Sequence, residues 1–445
     1  MPSADVIAAR DKRRAAKAAK KAAARARDAR PKGGPDEGQS PGSTSEAVPS
    51  SPAVVPASTD APVIATNDES FSSKVSTIVH RYMRPPPDSE PHSPPPCPPP
   101  SALPAMASKM AVRVGGRSPL IHRGYHLRVA GLTRVLHNAA RIAAPPSPDD
   151  PTAITLLVVA IGAGFDSAPV DVLTTHSHVH LVDVDFPSVL AQKEVVLEQV
   201  APSVASSGRY TQVRCDLRET EQLATELSRV ASAVGPITVL TTAECVLNYL
   251  EAAEGDRVIK TVRDVFGGWG KPLYMATYEQ IVPDDAFGQV MRDNLTQHYA
   301  PLRAVATYHN TRAHEERYLR LGFAAVEAVD LNEYWRDWFS DEERQRVEGL
   351  EMFDEWEDLL VKCAHYFLLV ASLHDDKMDG RRPLWLFGDE GRTPAVPSRR
   401  KAVSVSAKPA GGPSRRTSSR PADLAATLAS AGPGQRCAPT GRSGH

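Results

Sequence analysis

The chain has 445 residues, 39 of them proline, and a formal net charge of −1. The near-neutral balance argues against a general affinity for nucleic acid or membrane surfaces, and the proline content indicates that much of the chain does not fold. The five cysteines form no CxxC pair and have no His at metal-ligand spacing. Neither a zinc site nor a disulfide framework is therefore expected, and no metal is predicted.

The first 61 residues are predicted to form a disordered tail. Residues 10–30 concentrate Lys and Arg among alanines without an apolar stripe, so they are interpreted as a solvated segment, with nuclear targeting or RNA contact as the alternative. The sequence contains no uninterrupted apolar leader and no run long enough to span a bilayer. It therefore predicts a soluble, cytoplasmic protein that does not partner with membranes, and we expect a monomer.

The second segment combines a helix with a proline-rich stretch. Residues 62–83 have the apolar spacing of an amphipathic helix. Residues 84–116 begin with the polyproline tract RPPPDSEPHSPPPCPPPSALP. Such a tract is extended and cannot be part of a core, so this stretch is predicted to be a linker or insertion.

Residues 117–373 are predicted to form the folded domain, and residues 374–445 a second disordered tail. After a first helix in HLRVAGLTRVLHNAARIAA, strands and helices alternate. The five predicted strands are ITLLVVAIG, HVHLVDVD, YTQVRCD, PITVLTTAE and PLYMATYE. Further helix follows in DAFGQVMRDNLTQHY and EERQRVEGLEMFDEWEDLL, with strands in FAAVEAVDL and AHYFLLVAS. This alternation predicts an α/β fold, a mostly parallel sheet with helices on both faces.

The turn after the first predicted strand is a candidate binding site, because ligands of open parallel sheets bind at the carboxyl ends of the strands. Gly162 and Gly164 permit a sharp turn and a close approach of a cofactor to the backbone. The dinucleotide pattern GxGxxG is incomplete, since no third glycine follows and Pro169 is near. A nucleoside site is therefore favoured over a pyrophosphate cradle, and a purely structural turn is the alternative.

Carboxylates end three successive predicted strands. Asp183 and Asp185 end the second strand, where they could accept the hydroxyls of a ribose; Asp216 ends the third, where an adenine edge would lie. Glu244 ends the fourth strand over the same pocket. A single acid of this kind is often only a helix cap. Acids after three strands in register with the glycine turn are the arrangement that a class I S-adenosyl-L-methionine (SAM) methyltransferase needs.

Several linked motifs closely resemble those of the leucine carboxyl methyltransferases. In chain order they are SPLIHRGYHLRV, GAGFDS, VDVDFPSVLAQK, CDLRE, TAECVLNYLE, YEQ, DAFGQVMRDNL and EMFDEWE. The resemblance extends over residues 66–373. It implies the class I SAM-dependent methyltransferase fold with extra helical lid elements, SAM as cofactor, and methyl-ester formation on the C-terminal leucine of type 2A protein phosphatase catalytic subunits, the implied partner.

The resemblance also assigns cofactor contacts. They fall on Lys74, Arg128, Gly162, Asp185, Asp216, Leu217 and Glu244. Arg128 can fork onto the carboxylate of SAM, Asp185 suits the ribose diol, and Asp216 can accept from the adenine amino group. On position alone Lys74 could equally be an ordinary exposed lysine.

The sequence departs from the family pattern at three places. The family's Asp-Thr after the glycine turn is Asp166-Ser167 here, which keeps a hydroxyl. The Asn that precedes the family's Arg-Gly-Tyr is His122 here. The family continues its lysine-bearing helix into a Gly-Tyr and a short lid segment, whereas residues 81–83 run into prolines. The lid that the resemblance implies at residues 62–83 is therefore expected to be rebuilt.

Methyl transfer to a carboxylate needs little acid–base chemistry, because a carboxylate is ionised at neutral pH. The enzyme must align the acceptor oxygen, the methyl group and the sulfur, and keep the pocket dry. No catalytic triad is predicted. Arg128 and Tyr249 are the candidates for orienting the carboxylates, although Tyr249 could also be a half-buried packing aromatic.

Two other functions are alternatives to this one. Some relatives methylate a carboxyl group on a hypermodified tRNA base of the wybutosine type; they carry an appended repeat domain that this sequence is expected to lack, while the basic N-terminal run keeps RNA contact open. A non-catalytic phosphatase-binding scaffold of the same fold is the third hypothesis. The presence of all the acids expected to face SAM argues against the scaffold.

Overall fold

The computed structural model describes residues 60–83, 105–106, 116–143, 150, 152–298 and 300–374. The predicted tails and most of the predicted linker at 84–116 lie outside the described residues.

The strands and helices of the described part alternate along the chain from residue 156. The strands are β1 (Leu156–Ile161), β2 (Val179–Asp185), β3 (Tyr210–Arg214), β4 (Thr238–Glu244), β5 (Leu273–Gln280), β6 (Ala325–Asp330) and β7 (Tyr366–Ser372). The helices up to β4 are α1 (Ala61–Val79), α2 (Pro119–Ile142), α3 (Ala168–Thr175), α4 (Pro187–Val200), α5 (Pro202–Ala205) and α6 (Thr220–Val234). After β4 come α7 (Ala252–Phe266), α8 (Ala286–Gln297), α9 (Thr311–Arg320), α10 (Leu331–Trp338), α11 (Asp341–Glu348) and α12 (Trp356–Cys363). Within the described residues, none of these helices combines the length and apolarity needed to cross a membrane.

The seven strands form one sheet in the order β3-β2-β1-β4-β5-β7-β6. Strands β1 to β5 pair in parallel, whereas β7 runs antiparallel to both β5 and β6. The strand order reverses between β1 and β4, the position at which open α/β sheets bind ligands. The mostly parallel sheet predicted from the alternating pattern is confirmed.

Helices cover both faces of the sheet. Every residue of β1 and β2 is buried, as expected for central parallel strands read as continuous apolar runs. Leu156 of β1 packs in one core with Phe71 of α1 and Leu136 of α2. Leu157, which points to the other face, packs in a second core with Val258 of α7. The predicted helices on both faces are confirmed.

The helix expected at residues 62–83 occupies Ala61–Val79 and packs against α2. Its buried residues run from Phe71 to Thr77 and include Lys74, which is only 5% exposed. A lysine buried in this way needs a partner, because an isolated ammonium is expensive to remove from water. The reading of Lys74 as an ordinary exposed lysine is therefore wrong.

Four of the described helices were not predicted, and one predicted helical stretch is interrupted. The unpredicted helices are α3, α5, α9 and α10. The stretch EERQRVEGLEMFDEWEDLL forms α11 and α12, because α11 ends at Gly349 and the chain turns before Trp356 starts α12. Glycine weakens helix continuation and is favoured at such an end.

Candidate active site

A cleft opens at the carboxyl ends of β1 to β4. It encloses about 1170 Å³, its solvent-open mouth included, and the first half of α1 forms one wall. The predicted site residues that line it are Gly162, Asp185, Asp216, Leu217, Glu244 and Tyr249. A smaller adjoining cavity of about 310 Å³ is lined by Lys74 and Arg128, and it shares Gly162 and Glu244 with the cleft. With the exception of Asp183, the structure thus brings the predicted site residues around two adjoining spaces.

The glycine turn after β1 requires both of its glycines. Gly162 has φ +62° and Gly164 has φ +42°, in the left-handed region that side chains disfavour. A Cβ on Gly162 would collide with Val246, and one on Gly164 would lie 2.6 Å from Oδ1 of Asn67 on α1. Larger residues would therefore push apart the walls of the cleft.

Asp185 connects the glycine turn to the end of β2. Its Oδ2 accepts a hydrogen bond from the backbone N–H of Gly164 at 2.7 Å, and its Oδ1 accepts from the N–H of Phe186 at 2.7 Å. Burial raises the pKa of Asp185, and these two backbone bonds only partly offset that rise. Because a carboxylate has about four acceptor positions, it could still accept two hydroxyls from a ligand in the cleft.

Asp183, which was expected beside Asp185 at the ribose, does not line either space. It is fully buried, its Oδ2 lies 2.7 Å from Nζ of Lys193 on α4, and the hydroxyl of Tyr210 donates to the same oxygen at 2.8 Å. The prediction of Asp183 as a ribose ligand is wrong. Its carboxylate pairs with the buried Lys193, because a buried charge needs a partner of opposite charge.

Asp216 is held by Arg218, which was not predicted as a site residue. The backbone N–H of Arg218 and its Nε both donate to Oδ1 of Asp216 at 2.9 Å. Burial would raise the pKa of Asp216, but the bonds from Arg218 lower it overall. The same guanidinium donates to Oδ2 of Asp60, the residue before α1, at 2.6 Å. Arg218 therefore joins the end of β3 to the beginning of α1 across the cleft.

Two acids and two cations line the smaller cavity. Lys74 Nζ donates to Oε2 of Glu244 at 2.8 Å and lies 3.1 Å from Oδ1 of Asp166, while Nε of Arg128 donates to Oε1 of Glu244. Burial alone would raise the pKa of Glu244, but the charges of Arg128 and Lys74 lower it overall. Burial would likewise lower the pKa of Lys74, and Asp166 and Glu244 raise it. Glu244 and the two cations are thus charged at neutral pH.

This charge group suits a zwitterion. Glu244 and Asp166 offer carboxylates to an ammonium, and Lys74 and Arg128 offer donors to a carboxylate, all within one small buried space. The ammonium and the carboxylate of a bound amino-acid group could therefore replace the ion pairs among these four side chains without leaving a buried charge unpaired. Asp166 was not predicted as a site residue, although it directly follows the glycine turn in the sequence.

Tyr249 lines the larger cleft from a short 3₁₀ helix at Leu247–Tyr249. Burial raises the pKa of its hydroxyl, so the side chain is a neutral hydrogen-bond donor at physiological pH. Arg128, the other residue predicted to orient carboxylates, lines the smaller cavity. Glu244 and Gly162, which line both spaces, lie between the two environments.

Aromatic rings surround Arg128. Its Cζ lies 5.2 Å from the ring centres of both Tyr125 and Tyr278, and Tyr278 stacks on Tyr366 at 5.6 Å. Rings at this distance attract a cation and keep its surroundings low in polarity. Sequence reasoning did not find these tyrosines: Tyr278 and Tyr366 come from β5 and β7, distant in the chain, and Tyr125, three residues before Arg128 on α2, was overlooked.

The loop after β4 is fixed by a buried acid. Cys245 has φ +55°, which is strained for a residue with a side chain. Oε1 of Glu279 accepts from the backbone N–H groups of Val246 at 2.8 Å and Leu247 at 2.7 Å. Burial raises the pKa of Glu279 to about 7 despite those two bonds. Glu279 thus positions the loop that carries Glu244 and Tyr249.

The end of α1 is fastened to the segment after α11. Glu351 accepts from the hydroxyl of Tyr82 at 2.9 Å and pairs with Nδ1 of His122 at 2.8 Å, while Nε2 of His122 bonds the hydroxyl of Ser76. His80, His122 and Glu351 lie close enough to hold a metal ion, but both nitrogens of His122 already have partners. The polyproline part of the predicted lid lies outside the described residues.

Residues 109–263 match the sequence model of the leucine carboxyl methyltransferase family. The chain is 31% identical over 330 residues to tRNA wybutosine-synthesizing protein 4 of Homo sapiens, an alignment that covers 70% of this chain and 44% of that protein. It is 27% identical over 362 residues to the leucine carboxyl methyltransferase 1 homolog of Arabidopsis thaliana, covering 78% of this chain and 97% of that protein. The chain spans less than half the length of the human protein.

Among solved structures, phosphoethanolamine N-methyltransferase 2 of Haemonchus contortus in complex with SAM aligns at 13% identity and a TM-score of 0.31, covering 53% of this chain and 51% of that one. The family match and the strand order with its antiparallel β7 confirm the predicted class I SAM-dependent methyltransferase fold.

Proposed function

We propose that this protein is a SAM-dependent carboxyl methyltransferase, because residues 109–263 match the sequence model of the leucine carboxyl methyltransferase family, as the sequence motifs predicted. Its proposed acceptor is the C-terminal leucine of a type 2A protein phosphatase catalytic subunit. The observation that carries the proposal is the buried group of Lys74, Glu244 and Arg128 beside the Gly162 turn.

The donor set of the two cavities fits SAM. Lys74 and Arg128 would hold its carboxylate, and Glu244 with Asp166 its ammonium. Asp185 would accept from the ribose hydroxyls. Asp216 and Leu217, which line the outer part of the cleft, would contact the adenine.

The bound cofactor supplies an electrophilic methyl group, and the residues of the chain supply alignment. Tyr249, whose pKa is raised by burial, would donate a hydrogen bond to the acceptor carboxylate without adding a negative charge. Arg128 would attract that carboxylate towards the same point. A base is not needed, because the acceptor is already ionised, so exclusion of water and correct orientation account for the rate.

A second candidate is methylation of a carboxyl group on a wybutosine-type tRNA base. It is a candidate because of the 31% identity to the human tRNA wybutosine-synthesizing protein 4. The leucine acceptor is favoured by the Arabidopsis leucine carboxyl methyltransferase 1 homolog, because the alignment spans 97% of that protein. Both candidates use the same charge group and differ only in the acceptor.

Two measurements test the proposal. Calorimetric titration with SAM should give saturable binding, and transfer of labelled methyl should occur to a peptide that ends in a free leucine but not to the same peptide amidated. The ester should release methanol in mild alkali. Arg312→Gln serves as a control variant, since Arg312 is 81% exposed and its one ion pair among the described residues is with Glu316 on its own helix. Absence of SAM binding would refute both candidates, and transfer to tRNA alone would leave the second.

A further inference from the structure

Lys362 is a partly buried cation on α12 that faces α2. Its Nζ lies so close to Gly124 that a Cβ on this glycine would be 2.8 Å from Nζ and 3.1 Å from Cε. No carboxylate of the described residues lies within ion-pair distance of Nζ. Burial lowers the pKa of Lys362 to about 8, a fall that Cys363 partly opposes and Arg128 increases.

Lys362 and Arg128 approach the same aromatic ring. Nζ of Lys362 lies 6.0 Å from the ring centre of Tyr125, and Cζ of Arg128 lies 5.2 Å from it. Lys74 and Arg128 are matched in number by the carboxylates of Glu244 and Asp166. Lys362 is therefore the excess cation of this cluster.

We propose that Lys362 is a substrate-binding residue that, together with Arg128, holds the carboxylate of the acceptor next to the cofactor site. The inference rests on the proposed carboxyl methyl transfer. An unbalanced cation in a low-polarity environment attracts an anion strongly, because little water competes for it. A neutral amide end would gain no such attraction, so Lys362 selects free carboxylates.

Tyr125, Arg128 and Cys363 face Lys362 directly. Glu244, Cys245 and Tyr278 face Arg128, Tyr366 faces both Tyr125 and Arg128, and Asp330 faces Cys363. The pKa values of Arg128, Tyr278, Tyr366 and both cysteines are raised, to about 12 in the two cysteines. Loss of the Lys362 proton should therefore weaken acceptor binding above about pH 8.

The test compares the wild type with Lys362→Met and Lys362→Arg. The probes are a peptide ending in free leucine and its amidated form, titrated into protein saturated with S-adenosylhomocysteine from pH 6.5 to 9.5. The wild type should bind the free peptide about tenfold or more tightly than the amide, with the preference falling above about pH 8. Lys362→Met should lose the preference at every pH while binding the cofactor product normally. Lys362→Arg should keep the preference up to pH 9.5.

The outcomes separate the two proposals. Wild type that does not prefer the free peptide, or a Lys362→Met protein that still prefers it with the same pH dependence, overturns the role of Lys362. Wild type that prefers the free peptide but transfers no methyl to it contradicts the proposed function alone. If Lys362→Met does not fold, the pH dependence of the wild type and the shift of that dependence in Lys362→Arg decide the question.

Discussion

Asp185 accepts a hydrogen bond from the backbone N–H of Gly164 at 2.7 Å, so the acid predicted to hold a ribose also holds the turn against which that ribose would lie. Asp185 therefore both shapes the turn and faces the space in which the ligand would bind. A substitution there alters the shape of the cleft as well as its chemistry.

Asp185→Asn should weaken SAM binding by at least about tenfold and reduce the free energy of unfolding by about 1–3 kcal/mol, because an amide nitrogen cannot accept one of the two N–H bonds. Asp183→Asn on the same strand is the matched control. It should destabilise the protein through the loss of the Lys193 pair while leaving the SAM dissociation constant of the folded protein unchanged. Equal losses of affinity in both variants would contradict the assignment.

Glu244→Gln should destabilise the protein by about 3–5 kcal/mol at pH 7, since two buried cations lose their shared carboxylate. The pKa of Glu244 is lowered in the folded protein, so its contribution is present above the ordinary value of 4.5 and is lost as the pH falls below it. The difference between wild type and variant should therefore shrink in acid. Urea denaturation at pH 3.5, 5 and 7 measures this, with the exposed Glu316→Gln as a control that changes little.

Glu279→Gln should change the slope of stability against pH. The pKa of Glu279 is raised from 4.5 to about 7, so between these values the unfolded chain loses its proton first. Wild-type stability should then fall by up to about 1.4 kcal/mol per pH unit on account of this group. The glutamine variant lacks that decline. Denaturation is measured at pH 5, 6 and 7. If the free energy of unfolding changes with pH equally in both proteins, Glu279 does not titrate in that range.

Gly162→Ala should cost more stability than Gly235→Ala, although both glycines have positive φ. At Gly235 a Cβ meets no atom within 4 Å, so the cost is the backbone term of about 1–2 kcal/mol. At Gly162 the methyl group also collides with Val246. Thermal unfolding and SAM titration of both variants check this, and we expect SAM affinity to fall only in Gly162→Ala.

The sheet and most of its ligand-facing acids could be predicted because their signals are local. Buried strands are short apolar runs, and Asp185, Asp216 and Glu244 come at or just after their ends. Asp183 was misjudged because the sequence does not reveal that Lys193, ten residues on, reaches back to cover it. Asp183 and Asp185 both come just before α4 in the sequence, and only packing in the folded protein distinguishes their surroundings.

The missed helices have a different explanation. Helix α10 begins with a capping box between Asp330 and Glu333, and the side chain of Asn310 caps α9. Both signals were readable. In α9 the residues after the cap are mostly charged, so no apolar stripe marks that helix. Helix α10 does carry such a stripe, at Leu331, Tyr334, Trp335 and Trp338, and it could have been predicted from that spacing. Tyr278 and Lys362 were missed because only long-range folding brings them to Arg128. Tyr125 precedes Arg128 by three residues on α2, so helical spacing alone could have predicted that contact.

The bridge from Asp216 through Arg218 to Asp60 has a consequence for exchange of the cofactor. The guanidinium of Arg218 is 37% exposed, and a pair with that access to water contributes at most about 1 kcal/mol. The first turn of α1 can therefore detach from β3 by thermal motion while the buried half of the helix stays in place. Added salt weakens the Arg218–Asp60 ion pair, so both entry and release of a nucleoside should accelerate with ionic strength.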